Sequence, residues 1–215
     1  MPDRPVVTAY DALERLRAGN RRFVDGGRRA DAYLTERRRA ELTKRQDPFA
    51  IILGCSDSRV PAEIVFDQDV GDLFVIRVAG NIIAPSLVGS VEFAAQHLGT
   101  PLVVVLGHSQ CGAITATIDE LQRPTMMQSR NIQAIVDQIR PSVDAVFETE
   151  LRRDRDAFVE YVVRANIRAS VDHLRHDSDV IEKFIRDHGF AVVGAEYSLE
   201  TGLVEFFDDV AAVAR

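Results

Sequence analysis

Two thiols and one imidazole carry the most specific chemistry in this chain. Cys55 and Cys111 are its only cysteines, and His108 stands three residues before the second of them in a His-x-x-Cys pattern. Two isolated cysteines are as readily small buried apolar side chains, so the neighbours decide the reading. Two thiolates and one imidazole suit zinc, which is usually four-coordinate, and three protein ligands leave the fourth position for water, as in a catalytic site. Zinc lowers the pKa of bound water from about 15.7 towards about 7 and so provides a hydroxide nucleophile near neutral pH. Two anionic sulfurs donate more charge than neutral imidazoles do, which predicts a less acidic water than in a three-histidine site and an alkaline activity optimum. Beside Cys55 stands Asp57-Ser58-Arg59, a carboxylate followed two residues later by a guanidinium that can grip it bidentately. Held in this way, Asp57 can accept a hydrogen bond from the zinc-bound water, or take the fourth position itself and close the site. Taken alone, the same residues also read as a turn aspartate paired with a surface arginine.

The remaining histidines compete poorly. His97 ends an apolar helical stretch, His173 and His176 share a polar segment, and His188 precedes Gly189 at a helix end, where a histidine meets the helix dipole favourably.

Three ligands so distant in sequence need a rigid scaffold to meet. From Phe49 onward short apolar runs rich in β-branched residues recur: Phe49 to Leu53, Leu73 to Val78, Leu102 to Leu106 and Phe190 to Val193, with Leu203 to Phe207 as an edge strand. Helical patterns separate them: Ser86 to Leu98, a stretch after Gly107 through Leu121, Asn131 to Val146, Arg153 to Leu174 striped by Phe158, Val162, Ala165 and Ala169, and Asp179 to His188. Alternating strands and helices predict an α/β fold, with a parallel-stranded central sheet flanked by helices and an antiparallel edge strand. Ligands gather beyond the carboxyl ends of such strands, where both cysteines fall. Cys111 also falls near a helix N-terminus, which favours thiolate. Ahead of the sheet, Thr8 to Val24 and Glu36 to Thr43 read as helices. With too few apolar residues for a core of their own, residues 1–45 form a helical arm that must pack on the main body or on a partner subunit.

The 215 residues, 46% hydrophobic, make a single domain with one buried core. A formal charge of −7 excludes an electrostatic partnership with nucleic acid, and the run Arg37 to Arg39 reads as a solvated helix face. There is no apolar run long enough to span a membrane and no signal-like segment at Met1 to Val7. A cytoplasmic location is expected, where the thiols stay reduced.

GCSDSRVPAE from Gly54 to Glu63 and VVLGHSQCGAI from Val104 to Ile114 resemble the two zinc-binding segments of the β-class carbonic anhydrases, in the right order. LRAGNRRF from Leu16 to Phe23 and DLFVIRVAGN from Asp72 to Asn81 are similar to further patterns of that family. The resemblance implies a four-stranded parallel core with an antiparallel extension, working as a homodimer or a dimer of dimers. It implies zinc on Cys55, His108 and Cys111, Asp57 and Arg59 as the catalytic pair, and carbon dioxide and bicarbonate as reactant and product. Gln46 matches a substrate-binding glutamine of the plant-like branch, and Phe74 and Phe93 match aromatic positions of its apolar pocket, although both also suit a core. Gly112 belongs to the same substrate set. The family builds this pocket across the dimer interface. In another branch tryptophan, arginine and tyrosine form an allosteric bicarbonate pocket. Their places here are Ile52, Arg77 and Val192 or Val193, so the plant-like type without that pocket is expected, with Arg77 serving the structure or the interface.

Two rivals remain at this level. A hydrolase of carbonyl sulfide or carbon disulfide would use the same zinc site on linear, weakly polar analogues. A purely structural zinc protein would close its site with a fourth protein ligand such as Asp57, but leaves the pairing with Arg59 unexplained.

Overall fold

A computed structural model describes residues 7–27, 39–40, 42–123 and 129–207. Its centre is a five-stranded sheet in the order β2-β1-β3-β4-β5. The strands are β1 (Ala50–Cys55), β2 (Leu73–Val78), β3 (Leu102–His108), β4 (Ala191–Tyr197) and β5 (Val204–Phe206). The first four are parallel, and β5 runs antiparallel to β4, as the sequence predicts. β1 and β3 are buried along their whole length, which explains why they read as continuous apolar runs rather than alternating ones.

The two faces of the sheet divide by residue parity. Ile51, Leu53, Val103, Val105 and Val192 face one core with helices α3 (Pro85–Leu98), α4 (Gly112–Gln122), α5 (Arg130–Phe147), α6 (Arg155–His176) and α7 (Asp179–His188). Ala50, Ile52, Val104, Leu106 and Val193 face the other, covered by α1 (Ala9–Val24) and the single turn α2 (Ala62–Val65). α1 starts from a capping box between Thr8 and Asp11 and buries Ala9, Ala12, Leu13 and Leu16 in that second core. Gly19 lets it approach closely, since a Cβ there would lie 1.8 Å from the Phe66 carbonyl oxygen. Of the two destinations the sequence allows, the apolar stripe of α1 therefore meets the main body of its own chain. Half of the helix expected over Glu36 to Thr43, including Arg37 and Arg38, lies outside the described residues; of the other half, Arg39, Ala40 and Leu42 are helical and Arg39 is exposed.

Two further differences from the sequence reading bear on the site. β3 continues through Gly107 and His108, which pair with Glu196 and Tyr197, so His108 ends a strand rather than opening a helix. On α6 the buried stripe is Phe158, Val162, Asn166, Ser170 and Leu174, not Ala165 and Ala169: Ala169 is exposed and Ala165 only half-buried. The polar pair at helical spacing hides the true face from a search for apolar residues.

β5 is held through charge as well as backbone. Glu196 and Glu205 are directly opposite on β4 and β5, a repulsive cross-strand pair. Arg164 of α6 reaches both, at 3.3 Å from Glu196 and in a two-pronged contact of 2.9 and 2.7 Å with Glu205. Burial raises the Glu196 carboxyl against the pull of Arg164, while Arg164 lowers that of Glu205. The Glu205 contribution is present above the ordinary carboxylate range and is lost as pH falls; Arg164 also restrains the cost of ionising Glu196. Arg164→Met keeps an apolar stem near Phe207, whose ring centroid lies 4.5 Å from the guanidinium, but removes the cation. Because the Glu205 side chain is largely exposed and its pairing is screened by solvent, the variant should lose about 1 kcal/mol at pH 8 and progressively less towards pH 4. Urea unfolding at the two pH values checks this, and equal losses would assign Arg164 to packing alone.

Candidate active site

Cys55 is the last residue of β1, His108 the last of β3, and Cys111 immediately precedes α4. β1 and β3 are neighbours, and from β1 the chain order runs outward in both directions, so their carboxyl ends open the crevice of an open parallel sheet. There the three side chains converge. Their donor atoms all lie within 4.8 Å of one another, all three residues are buried, and the arrangement could hold a metal ion. The two sulfurs are 4.0 Å apart.

His108 is fully enclosed. Its Nδ1 lies 2.8 Å from the Ser109 carbonyl oxygen. A carbonyl only accepts, so Nδ1 carries the proton and Nε2 presents a lone pair. Nε2 is buried without a hydrogen-bond partner, a costly state for a polar atom unless another group completes it. Burial draws the imidazole pKa down, but the Cys55 sulfur, the Ser109 carbonyl and Asp57 outweigh it and the net shift is upward. The thiols act as a pair. One proton leaves readily because the remaining S–H donates to the thiolate, which draws Cys55 well below the usual thiol range. The second is resisted by that neighbouring charge and by burial, which push Cys111 upward. A cation between them removes this conflict.

Asp57 opens a tight turn closed by the Val60 amide on the Asp57 carbonyl at 3.0 Å. Its Oδ1 accepts from the Arg59 amide at 3.0 Å, an Asx-turn contact, and from Arg59 Nε at 2.9 Å, while Oδ2 accepts from the guanidinium at 2.7 Å. Arg59 thereby holds the carboxyl well below the usual carboxylate range. Asp57 Oδ2 is 3.8 Å from His108 Nε2, so an ionised carboxylate borders the cluster. Arg77 on β2 fastens this segment from the side, donating to the Cys55 carbonyl at 3.0 Å and to the Asp57 carbonyl at 2.6 Å. Ile52, Val192 and Val193, which stand at the other places of that allosteric pocket, are completely buried in the sheet.

Gly112 opens α4 directly beside Cys111. Gln46, Phe74 and Phe93 do not join the cluster within one chain. Phe74 pairs with Ile51, four residues before the Cys55 level, which is about 13 Å along the strand; Phe93 packs beside it with ring centroids 6.3 Å apart. Gln46 is exposed before the amino end of β1. Phe93 is 46% exposed, which sets it apart from an ordinary core residue. The other histidines lie elsewhere: His97 stacks near Phe93, His188 near Phe184, His173 lies 3.4 Å from Asp177, and His176 contacts the Asp172 carbonyl.

The sequence reading missed Glu200. Its carboxylate accepts from Ser109 Oγ at 2.8 Å and from Gln110 Nε2 at 2.6 Å, pinning the two residues between His108 and Cys111 to the turn after β4. Gln110 has a positive φ of 54°, a conformation a non-glycine residue adopts only when its surroundings impose it. Glu200 lies 90 residues from Gln110, and no local spacing announces such a contact.

The profile of the family described as carbonic anhydrase matches residues 50–204. Carbonic anhydrase 2 of Mycobacterium tuberculosis is 36% identical over 215 residues, covering 100% of this chain and 99% of that protein. The carbonic anhydrase of Mycolicibacterium smegmatis is 38% identical over 205 residues, 95% of each. Among solved structures, the β-carbonic anhydrase CafA of Aspergillus fumigatus superposes with a TM-score of 0.71 at 25% identity, covering 81% of this chain and 85% of that one. A parallel sheet with an antiparallel edge, a buried Cys-His-Cys cluster at its switch point and likeness along the full length lead to one assignment: the chain belongs to the carbonic anhydrase family, in its β class.

Proposed function

We propose that the protein is a zinc enzyme interconverting carbon dioxide and bicarbonate, with Cys55, His108 and Cys111 as the metal ligands and Asp57 and Arg59 as the catalytic pair. The observation that carries this reading is the buried, partnerless Nε2 of His108 beside two sulfurs 4.0 Å apart. Two sulfurs at about 2.3 Å from a tetrahedral zinc stand about 3.8 Å from each other, so the donor set fits. Zinc held there supplies a water acidic enough to act as nucleophile near neutral pH.

The protein's own groups do the rest. Asp57, kept ionised by Arg59, accepts a hydrogen bond from the attacking water and so aims an oxygen lone pair at the carbon of carbon dioxide. As the carbon–oxygen bond forms, one π pair of carbon dioxide moves onto its oxygen, and the water's lost proton passes to solvent, leaving bicarbonate. Carbon dioxide offers little polarity to grip, and an apolar slot suits it. Gln46, Phe74 and Phe93 supply that slot in this reading, but from a second copy: a two-fold pairing along the free edge of β2 sets one chain's amino-end residues beside the other's cluster. The working unit is then a homodimer or a dimer of dimers, in which residues of the 1–45 arm also pack on the partner. The absence of aromatic residues at Ile52 and Val192 or Val193 supports the plant-like type without an allosteric bicarbonate pocket. No helix among the described residues is long and apolar enough to cross a membrane, and we place the enzyme in the cytoplasm.

Stopped-flow hydration on zinc-loaded protein between about pH 6.5 and 9 tests the activity. Zinc-dependent turnover rising with pH is expected. Turnover of carbonyl sulfide with none of carbon dioxide would overturn the assignment of substrate.

A further inference from the structure

Between β2 and α3 the chain makes one tight turn, Ala79–Asn81, with Gly80 at φ 71° and Asn81 at φ 43°. Glycine enters the left-handed region freely and asparagine more readily than most other residues, which suits both to this turn. The first leaves little room for a side chain: a Cβ on Gly80 would come within 2.8 Å of Ile139 Cδ1 and 3.2 Å of Ala113 Cβ. The turn brings the Gly80 amide to 3.4 Å from Cys55 Sγ, where it donates to the sulfur. Asn81 is itself buried, and its side-chain nitrogen has no hydrogen-bond partner. The asparagine therefore does not secure its own turn through that group.

The restraint comes from α6. Asn166 Nδ2 donates to the Gly80 carbonyl at 2.9 Å, and Ser170 Oγ donates to the Asn81 carbonyl at 3.0 Å. Both residues are buried, at 3% and 5% exposure, among Val162, Val163, Ile167 and Val171. One helical turn apart, they address consecutive carbonyls. A polar pair inside an apolar helix face is unfavourable unless its bonds are made, and here both bonds fix the same turn.

We infer that Asn166 and Ser170 are positioning residues for the metal centre, holding the Ala79–Asn81 turn so that the Gly80 amide donates to the sulfur of Cys55. This rests on the reading of Cys55, His108 and Cys111 as metal ligands. An N–H directed at a ligating sulfur draws off part of its negative charge and fixes its direction, and the loss of such an outer partner costs about 10- to 100-fold in metal affinity. A pair that merely satisfied two buried carbonyls would influence stability and nothing at the metal.

The experiment is a cobalt(II) titration of the full-length metal-free protein, reading affinity by chelator competition and the sulfur-to-cobalt charge-transfer absorption. Asn166→Ala and Ser170→Ala should each weaken cobalt binding, Asn166→Ala by about tenfold. Both should move the charge-transfer band to longer wavelength, because a sulfur relieved of its donor gives up an electron more easily. Ser170→Thr, which keeps the hydroxyl, should restore the wild-type band. Phe158→Leu, on the same helix two turns away from Asn166, removes buried volume without touching the turn and should leave both readouts unchanged. Bands and affinities equal to wild type in both alanine variants would overturn the inference, and so would an equal shift in Phe158→Leu. Should Asn166→Ala fail to fold, the Ser170→Ala and Ser170→Thr comparison decides alone. A wild-type protein that bound no cobalt, or a His108→Ala variant that bound it equally well, would instead overturn the ligand assignment beneath the inference. Absent carbon dioxide turnover with the band shifts intact would leave the inference standing and reject the catalytic reading.

Discussion

His108→Ala is expected to leave the protein without stoichiometric zinc and to reduce its carbon dioxide hydration to the rate of the buffer. The imidazole is fully enclosed, its tautomer is set by the Ser109 carbonyl at 2.8 Å, and its free nitrogen points into the cluster without a partner. It is thus oriented for a role that nothing else among the described residues fills. Losing an outer hydrogen-bond partner of a metal ligand costs about 10- to 100-fold in affinity, so losing the ligand itself should cost more than about a hundredfold. The two sulfurs then keep only Asp57 and solvent to complete the site. Because the ligands come from the ends of β1 and β3 and the start of α4, metal binding ties three segments together and contributes to folding stability. Zinc should accordingly raise the melting temperature of the wild-type protein and leave that of the variant unchanged. Metal analysis after dialysis, combined with melting curves with and without zinc, checks both parts. A variant retaining one zinc per chain would mean that the donor set has been misassigned.

What could be read from the sequence follows the range over which each signal acts. The four parallel strands announce themselves through β-branched runs, and Cys55, His108 and Cys111 through their neighbours, the His-x-x-Cys spacing and the Asp57-Ser58-Arg59 segment. The Asp57–Arg59 contact is equally legible, because an Asx-turn and an i, i+2 ion pair are local. Arg77 could be given a structural role but not its two carbonyl partners, which depend on the register of β2 against β1. Asn166 and Ser170 were invisible because a buried polar pair looks like the solvent side of a helix until the carbonyls it serves are known. Glu200 was invisible for the same reason from the opposite direction: an exposed glutamate in a turn gives no hint of the loop it pins. The residues of the substrate slot are the instructive case. Resemblance groups Gln46, Phe74 and Phe93 with the cluster, yet one chain keeps them at the level of the other end of β1, so in the proposed dimer they would meet the cluster only across two chains.

Asp57→Asn should lower kcat/KM for carbon dioxide by about 100-fold or more, within the range of general acid–base contributions, with zinc content unchanged. Asparagine conserves the volume and still offers an oxygen to the Arg59 amide, so the turn that opens at Asp57 survives. What it loses is the charge and the second acceptor, the oxygen that stands 3.8 Å from His108 Nε2. Arg59→Ala separates orientation from charge. It removes the two guanidinium contacts at 2.9 and 2.7 Å but keeps the backbone contact at 3.0 Å, so the carboxylate stays present and less firmly aimed; a loss of about tenfold is expected. Arg59 lowers the Asp57 carboxyl below its usual range, and its removal returns that carboxyl towards the ordinary value of about 3.9. The stabilising effect of the pair is present above that value and lost as pH falls below it. Asp57 is ionised above about pH 6 with or without Arg59. The Arg59→Ala rate profile from about pH 6.5 to 9 should therefore be that of the wild type scaled down, with its shape preserved. Stopped-flow profiles of the two variants at equal zinc content make the comparison. A profile for Arg59→Ala that changed shape in this range would mean that the guanidinium acts on the reacting groups directly, not through the aim of Asp57.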